Sequence, residues 1–291
     1  MPEQRITEMR FVKLHDGTAV PQLGQGTWAM GESSAKYDQE KEALRWGIDQ
    51  GMTLIDTAEM YGDGAAEELV GDAISPYNRS DLFLVSKVYP WNAGRKNIFK
   101  SCEDSLKRMG TDYMDLYLLH WRGSVQLAET VQCMEELRQQ GKILRWGVSN
   151  FDTADMKELL SVKNGDQCQV NQVLYHLGSR GVEYELLPFM NEHGIPMMAY
   201  CPLAQGGRLR QNLLNNPVLQ KVAEARGKTV MQILLAFTVL RDDVVTIPKA
   251  SSITHVNANR EAVEIRLTQE EIDLLSREFP KPDRKLPLDM E

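Results

Sequence analysis

Residues 82–119 read LFLVSKVYPWNAGRKNIFKSCEDSLKRMGTDYMDLYLL. The run opens on a short apolar stretch, 82–87, which reads as a buried strand ending in Lys87. Ile98, Phe99, Cys102, Leu106 and Met109 then recur at three- and four-residue steps, the stripe of an amphipathic helix. Gly110 stands where a C-cap glycine belongs, and a second apolar run, 114–119, follows it. Strand, helix and strand in that order make a right-handed crossover between parallel strands.

The same unit repeats outward in both directions. Strands are expected at 22–27 and 53–56 before it, and at 144–149, 169–172, 196–200 and 244–247 after it. Between them Leu127, Val131, Met134 and Leu137 form a second stripe, closed by Gly141, and Val230, Ile233, Leu234, Phe237 and Leu240 a third. No composition break, Pro/Gly-rich linker or low-complexity tract interrupts the series. The expectation is an α/β protein with one domain over residues 1–291, a single (β/α)8 TIM barrel rather than an open doubly wound sheet. Two pieces fall outside the eight units. Residues 11–14 and 19–20 flank an Asp16-Gly17 turn signal and predict a β-hairpin plugging the N-terminal end of the barrel. Residues 269–277 predict a short C-terminal helix, followed by a tail.

Composition narrows the function. A chain of 291 residues that is 42% hydrophobic can bury a large core, which excludes disorder. Its net charge of −8 argues against nucleic acid and anionic membranes as partners. Cys102, Cys133, Cys168 and Cys201 form no CxxC pair, so a metal site and dithiol chemistry are not expected, and a reducing compartment fits. The first ten residues, MPEQRITEMR, lack the apolar centre of a signal peptide, and the longest greasy run, 230–240, contains Gln232 and Thr238. The expectation is a cytoplasmic monomer.

In a barrel of this kind the working face is built at the C-terminal strand ends. Asp56 with Tyr61 just beyond, Lys87, His120, Ser149 and Asn150, Gln172, Tyr200 and Lys249 all fall at such ends. Reducing a carbonyl leaves negative charge on its oxygen, which needs a proton donor close by. Tyrosine, with a pKa near 10, needs its phenolate stabilised to serve. An ammonium about 4 Å away is worth up to about 4 kcal/mol at an effective dielectric near 20, or about three pKa units. Lys87 can play that part for Tyr61, lowering its pKa, while Asp56 compensates the buried ammonium and His120 orients the carbonyl. Taken singly, Asp56 would be a loop cap, His120 a packed histidine and Tyr61 a loop anchor. Lys87, ending an apolar strand, needs a partner for its charge in any reading. A barrel hydrolase using Asp56 and Glu59 is disfavoured, because its carboxylates normally come from different strands and Lys87 would neutralise the first.

The segments 56–62 (DTAEMYG), Ser86-Lys87, Leu118-Leu119-His120, 147–150 (GVSN), 170–172 (VNQ), 199–203 (AYCPL) and 247–249 (IPK) together resemble the aldo-keto reductase family. The resemblance covers nearly the whole chain. Residues 26–28 (GTW) and 87–92 (KVYPWN) resemble bacterial reductases of methylglyoxal and related small aldehydes. The resemblance implies Asp56, Tyr61, Lys87 and His120 as a catalytic tetrad and NADPH as cofactor, with NADH weaker. It implies a nicotinamide stacked on Tyr200 and hydrogen-bonded by Ser149, Asn150 and Gln172, with Gly26, Thr27, Trp28, Asp56 and Ile247 around it. The phosphates would meet the loop holding Pro202, Leu203, Gln205, Gly207 and Arg208. The adenosine 2′-phosphate would lie beside Lys249, Ser251 and Ser252 near a helix start, with His255 and Asn259 on that helix. His255 departs from the pattern, since many NADPH-using members carry arginine there, and imidazole grips phosphate well only when protonated. No GxGxxG supports a Rossmann site, for Gly24, Gly26 and Gly31 are wrongly spaced.

Trp28, Trp91 and Trp121 follow strands one, three and four. With Tyr61 and His120 they would wall a tight, apolar pocket for a small-molecule aldehyde, with methylglyoxal the leading substrate. Trp46 and Trp146 are expected in the core, and His176 and Cys201 in structural roles. The alternative function is a non-catalytic subunit that binds the nicotinamide cofactor.

Overall fold

The computed structural model describes residues 9–204 and 206–291, so Gln205 lies outside the described residues. Strands β1 (Phe11–Lys13) and β2 (Ala19–Pro21) form the antiparallel hairpin. Its turn places Gly17 at φ +85°, a conformation open to glycine at no steric cost, and Asp16 Oδ1 accepts from Thr18 N at 2.9 Å. Val12, Leu14 and Val20 pack against Phe83, Leu116, Val170 and Met198 inside the barrel. The hairpin therefore closes the N-terminal end. Arg145 fastens it there through Asp16 (2.6 Å) and Thr18 (2.7 Å).

Eight parallel strands follow in chain order: β3 (Gln25–Gly26), β4 (Leu54–Asp56), β5 (Phe83–Val88), β6 (Leu116–Leu119), β7 (Trp146–Ser149), β8 (Asn171–Leu174), β9 (Met197–Tyr200) and β10 (Val244–Thr246). Each pairs with the next, and bridges Leu23–Thr246 and Gly26–Lys249 join the first to the last. The sheet is thus a closed (β/α)8 barrel. The closing seam depends on glycine: a Cβ at Gly26 would lie 2.8 Å from the Ile247 carbonyl oxygen.

Around the barrel run α1 (Tyr37–Asp49), α2 (Ala65–Ile74), α3 (Ile98–Met109), α4 (Leu127–Gln139), α5 (Thr153–Ser161), α6 (Leu186–Glu192), α7 (Arg208–Leu214), α8 (Pro217–Ala225), α9 (Val230–Thr238), α10 (Ile253–Ala262) and α11 (Gln269–Glu278). The apolar stripe of α3 is its buried face, and Gly110 ends it at φ +63°. Thr229 with Gln232 starts α9, and Thr268 with Glu271 starts α11, each as a capping box. No helix among the described residues is long and apolar enough to cross a membrane.

Three expectations need correction. The sixth barrel strand is Asn171–Leu174, not 169–172. Gln169 is spent below it, its Oε1 accepting from Asp16 N at 2.8 Å and its Nε2 donating to Gln167 O. The first barrel strand is reduced to Gln25–Gly26. Trp46 is not core: it is 38% exposed, its indole N–H donating to Asn257 at 2.7 Å, whereas Trp146 is buried.

Past α11 the tail returns across the barrel. Leu288 packs on the core, Lys285 pairs with Glu185 at 3.0 Å, and Ser179 donates to Asp289. Met290 and Glu291 thereby reach the C-terminal mouth.

Candidate active site

Strand periodicity sets the floor of the site. Leu54, Phe83 and Val85, and Leu116 and Leu118 face the barrel interior, while Ile55, Leu84 and Val88, and Tyr117 and Leu119 face the helices. One step of two beyond the last inward residue brings Asp56, Lys87 and His120 inward on three neighbouring strands. Asp56 and His120 open onto a cavity of about 660 Å³, within the range of small-molecule sites, and Lys87 lies buried beneath it.

Lys87 is fully buried and uses all three of its donors. Nζ donates to Asp56 Oδ2 at 2.7 Å, to Thr57 O at 2.9 Å and to the Tyr61 hydroxyl at 3.0 Å. The other oxygen of Asp56 accepts from Gln172 Nε2 at 2.7 Å. Tyr61 comes from a tight turn in which Gly62 and Asp63 have positive φ, and its ring meets Trp28 edge-on at 5.0 Å and His120 at 5.9 Å.

Burial pulls both members of the ion pair toward neutrality, raising Asp56 and lowering Lys87, and the contact between them opposes it on each side. The charged pair leaves every Lys87 donor and both Asp56 oxygens bonded, and it is the form we assign. Tyr61 departs from the sequence expectation. Its phenol is held well above the ordinary value, first by burial and then by the Asp56 carboxylate. The hydrogen bond from Lys87 Nζ favours the phenolate but does not outweigh burial and Asp56, which shares that ammonium's charge at 2.7 Å. Tyr61 accordingly keeps its proton at neutral pH.

His120 is driven down to about 2, by burial first and by Lys87 second, so its imidazole is neutral. A stability effect follows. Below pH about 6.5 the unfolded chain takes up a proton at this residue that the native state refuses. The contribution is complete above that pH and lost as pH falls toward 2, at about 1.4 kcal/mol per unit. His120→Asn is expected to remove it, so that unfolding free energy falls by about 2–3 kcal/mol less between pH 6.5 and 4.5 than in the parent. Denaturant titrations at the two pH values test this, and equal falls in both proteins would refute it.

The rest of the cavity is polar at chosen points. Ser149 Oγ donates to Gln172 O at 2.9 Å, Asn150 Nδ2 donates to His120 O at 3.2 Å, and Tyr200 donates to Asn150 Oδ1 at 2.8 Å. Lys249, Ser251, His255 and Asn259 gather at one end. The Nδ2 of Asn259 is buried without a hydrogen-bond partner, an unmet donor facing a space with room for an acceptor. Ala29, Asn150, Cys201 and Ala204 hold left-handed backbone close around the mouth, the kind of strain that concentrates at functional sites.

Gly26, Thr27, Trp28, Pro202, Leu203 and Ile247 also line the cavity. Gly207, Arg208 and Ser252 do not; Ser252 caps α10. Trp91 does not line it either, being 60% exposed and stacked on Tyr89 at 4.3 Å, with Trp121 between it and the cavity. Trp28 and Trp121 do form walls. Glu59 is held to the loop after β5 by Tyr89 N and Asn92 and does not line the cavity, so it is no partner to Asp56 for two-carboxylate hydrolysis. His176 is buried and accepts from Gly178 N. Sequence reasoning missed Arg210, Cys201 and Glu291 as lining residues. Arg210 follows the Gly206-Gly207 turn at the start of α7, a position that could have flagged it. Glu291 gave no local signal.

The sequence matches the Aldo/keto reductase family over residues 22–277. It is similar to Methylglyoxal reductase YeaE of Escherichia coli, at 51% identity over 97% of this chain and 99% of that protein. Glyoxal reductase of Bacillus subtilis is 35% identical over 94% of this chain and 97% of its own length. Among solved structures, an aldo-keto reductase from Klebsiella pneumoniae in complex with NADPH superposes with a TM-score of 0.95. That protein is 53% identical, with 98% of this chain and all of its own length covered.

Proposed function

The chain belongs to the aldo/keto reductase family, and from that premise we propose that it reduces small aldehydes and α-oxoaldehydes, methylglyoxal foremost, to alcohols with NADPH. The observation that carries this reading is the buried Asp56–Lys87–Tyr61 chain at the cavity floor beside a neutral His120.

The residues at the other end suit the cofactor. Lys249 and Arg210 offer positive charge to phosphates in a chain whose net charge is −8, and His255 and the unmet Asn259 donor add hydrogen-bonding groups. Tyr200 offers an aromatic face, and Ser149, Asn150 and Gln172 the polar atoms for a carboxamide. Bound there, the reduced nicotinamide supplies the two electrons and the hydrogen that the carbonyl carbon takes up.

The protein supplies the proton and the field. Tyr61 passes its proton to the carbonyl oxygen as negative charge develops on it. The phenolate left behind lies 3.0 Å from Lys87 Nζ, whose charge is held in place by Asp56 and so needs no reorganisation. His120, being neutral, offers one ring N–H to the same oxygen and cannot itself be the acid. Trp28 and Trp121 shape the substrate side, which suits a compact, uncharged aldehyde. The four free cysteines suit a reducing compartment such as the cytoplasm.

Oxidation of NADPH with methylglyoxal tests the reading, with NADH as control. Turnover with a preference for NADPH is expected. Tight NADPH binding with no turnover of any aldehyde would favour the non-catalytic alternative.

A further inference from the structure

Lys87 meets Tyr61 on the inner face of β5, and a second contact stands back to back with it on the outer face. Alternation turns Ser86 outward with Leu84 and Val88, toward α2. There its hydroxyl donates to Glu67 Oε1 at 2.5 Å. The other oxygen of Glu67 accepts from Arg108 Nε of α3 at 2.6 Å, and Arg108 Nη2 donates to Ser105 Oγ at 3.1 Å. Glu67 and Ser86 are fully buried, and neither they nor Arg108 line the cavity. Glu67 lies in the first turn of α2, directly after the turn that carries Tyr61. That turn holds positive φ at three consecutive residues, Gly62 (58°), Asp63 (51°) and Gly64 (96°). At Asp63 such backbone is strained and persists only where its surroundings fix it. Arg108 is part of those surroundings: a Cβ at Gly64 would stand 2.5 Å from Arg108 Cδ. Glu67 also favours the ammonium form of Lys87, less strongly than Asp56 does.

We propose that Glu67 is a positioning residue, which sets the 3.0 Å separation of Lys87 Nζ and the Tyr61 hydroxyl by tying Ser86 and Arg108 to the first turn of α2. This rests on the reading of Tyr61 as the proton donor. Ser86 fixes the strand at the residue next to Lys87, and Arg108 fixes the turn that follows Tyr61. A shift of about 1 Å caused far from the chemistry can cost about 10²-fold in rate, and a loosened clamp should cost part of that.

Ser86→Ala removes the strand arm and leaves Glu67 paired with Arg108, so it should fold even if Glu67→Gln, which uncouples Arg108, does not. The preformed enzyme–NADPH complex, with enzyme in excess, is mixed with methylglyoxal, and the single-turnover rate is read. Each variant is expected to slow that step about tenfold, with the dissociation constant for NADPH unchanged. In a Tyr61→Phe background Ser86→Ala should slow it by less than about twofold, because no hydroxyl remains to be placed. A loosened core that disturbs the nicotinamide or the carbonyl would slow both backgrounds alike, and that outcome overturns the proposal. So does a folded variant whose rate stays within about twofold of the parent, whatever happens to its denaturation midpoint. Tyr61→Phe running at the parent's rate would instead overturn the reading of Tyr61 as the acid, and the positioning role with it.

Discussion

Lys87→Met is expected to reduce turnover to background and to destabilise the fold by about 3–5 kcal/mol, the cost of breaking a buried ion pair by removing one partner. Methionine keeps the length and apolar stem, so the loss is one of charge and donors. Asp56 would retain only Gln172, and Tyr61 and the Thr57 carbonyl would each lose their bond to Nζ. The destabilisation should depend on pH in a definite direction. Burial already raises Asp56, and without the ammonium nothing of opposite charge opposes it. An acid whose native pKa lies above its unfolded value of about 3.9 favours the native state at low pH, and that advantage is lost as pH rises toward the native value. The penalty in the variant should therefore grow from pH 4 upward and level off once Asp56 ionises in the native state. Denaturant unfolding at pH 4, 5.5 and 7 reads this, and Lys87→Met/Asp56→Asn provides the control. The double variant should recover stability at pH 7 but not turnover. A single variant that turns over with the parent's pH profile would remove Lys87 from the mechanism.

That coupling shows where sequence reading reached and where it stopped. Asp56, Lys87 and His120 were legible as a set because alternation along a strand and the parallel barrel together dictate that inward residues one step past the core meet at one mouth. Gly110 and the α3 stripe were legible because both are local. The sign of the Tyr61 shift was not. A sequence can show that a lysine is available, but not that a carboxylate 2.7 Å away shares its charge while burial of the phenol outweighs what remains. The sixth strand slipped for a related reason, since Gln169 answers to the hairpin 153 residues earlier and not to its own strand. Trp46 looked like core because an apolar residue on a helix does not reveal which flank it occupies, and its partner Asn257 is 211 residues away. Cys201 and Glu291 meet across 90 residues through a tail with no periodicity at all. What is long-range and polar, in this protein, is what the chain does not advertise.

Tyr61→Phe should lower kcat by about 10²- to 10⁴-fold, the range for removing a general acid. The substitution is clean because the hydroxyl and the ring do different things. The ring packs against Trp28 and His120, and phenylalanine keeps both contacts. The hydroxyl meets only Lys87 among the hydrogen bonds seen here, and Nζ keeps Asp56 and the Thr57 carbonyl after its loss. Stability should consequently fall by only about 1 kcal/mol, and the dissociation constant for NADPH should change little. The low kcat should persist from pH 6 to pH 9, because no neighbour can take over the proton. His120 is neutral throughout that range, with its ionisation pushed down to about 2, and the Cys201 thiol is held far above its ordinary value by burial and by Glu291. Lys87, committed to Asp56, would leave an unpaired carboxylate if it gave its proton up. Stopped-flow reduction with excess enzyme isolates the chemical step from product release. If that step in Tyr61→Phe ran within about threefold of the parent, well short of what a lost general acid costs, the proton would have to come from solvent, and the buried chain at the cavity floor would need another explanation.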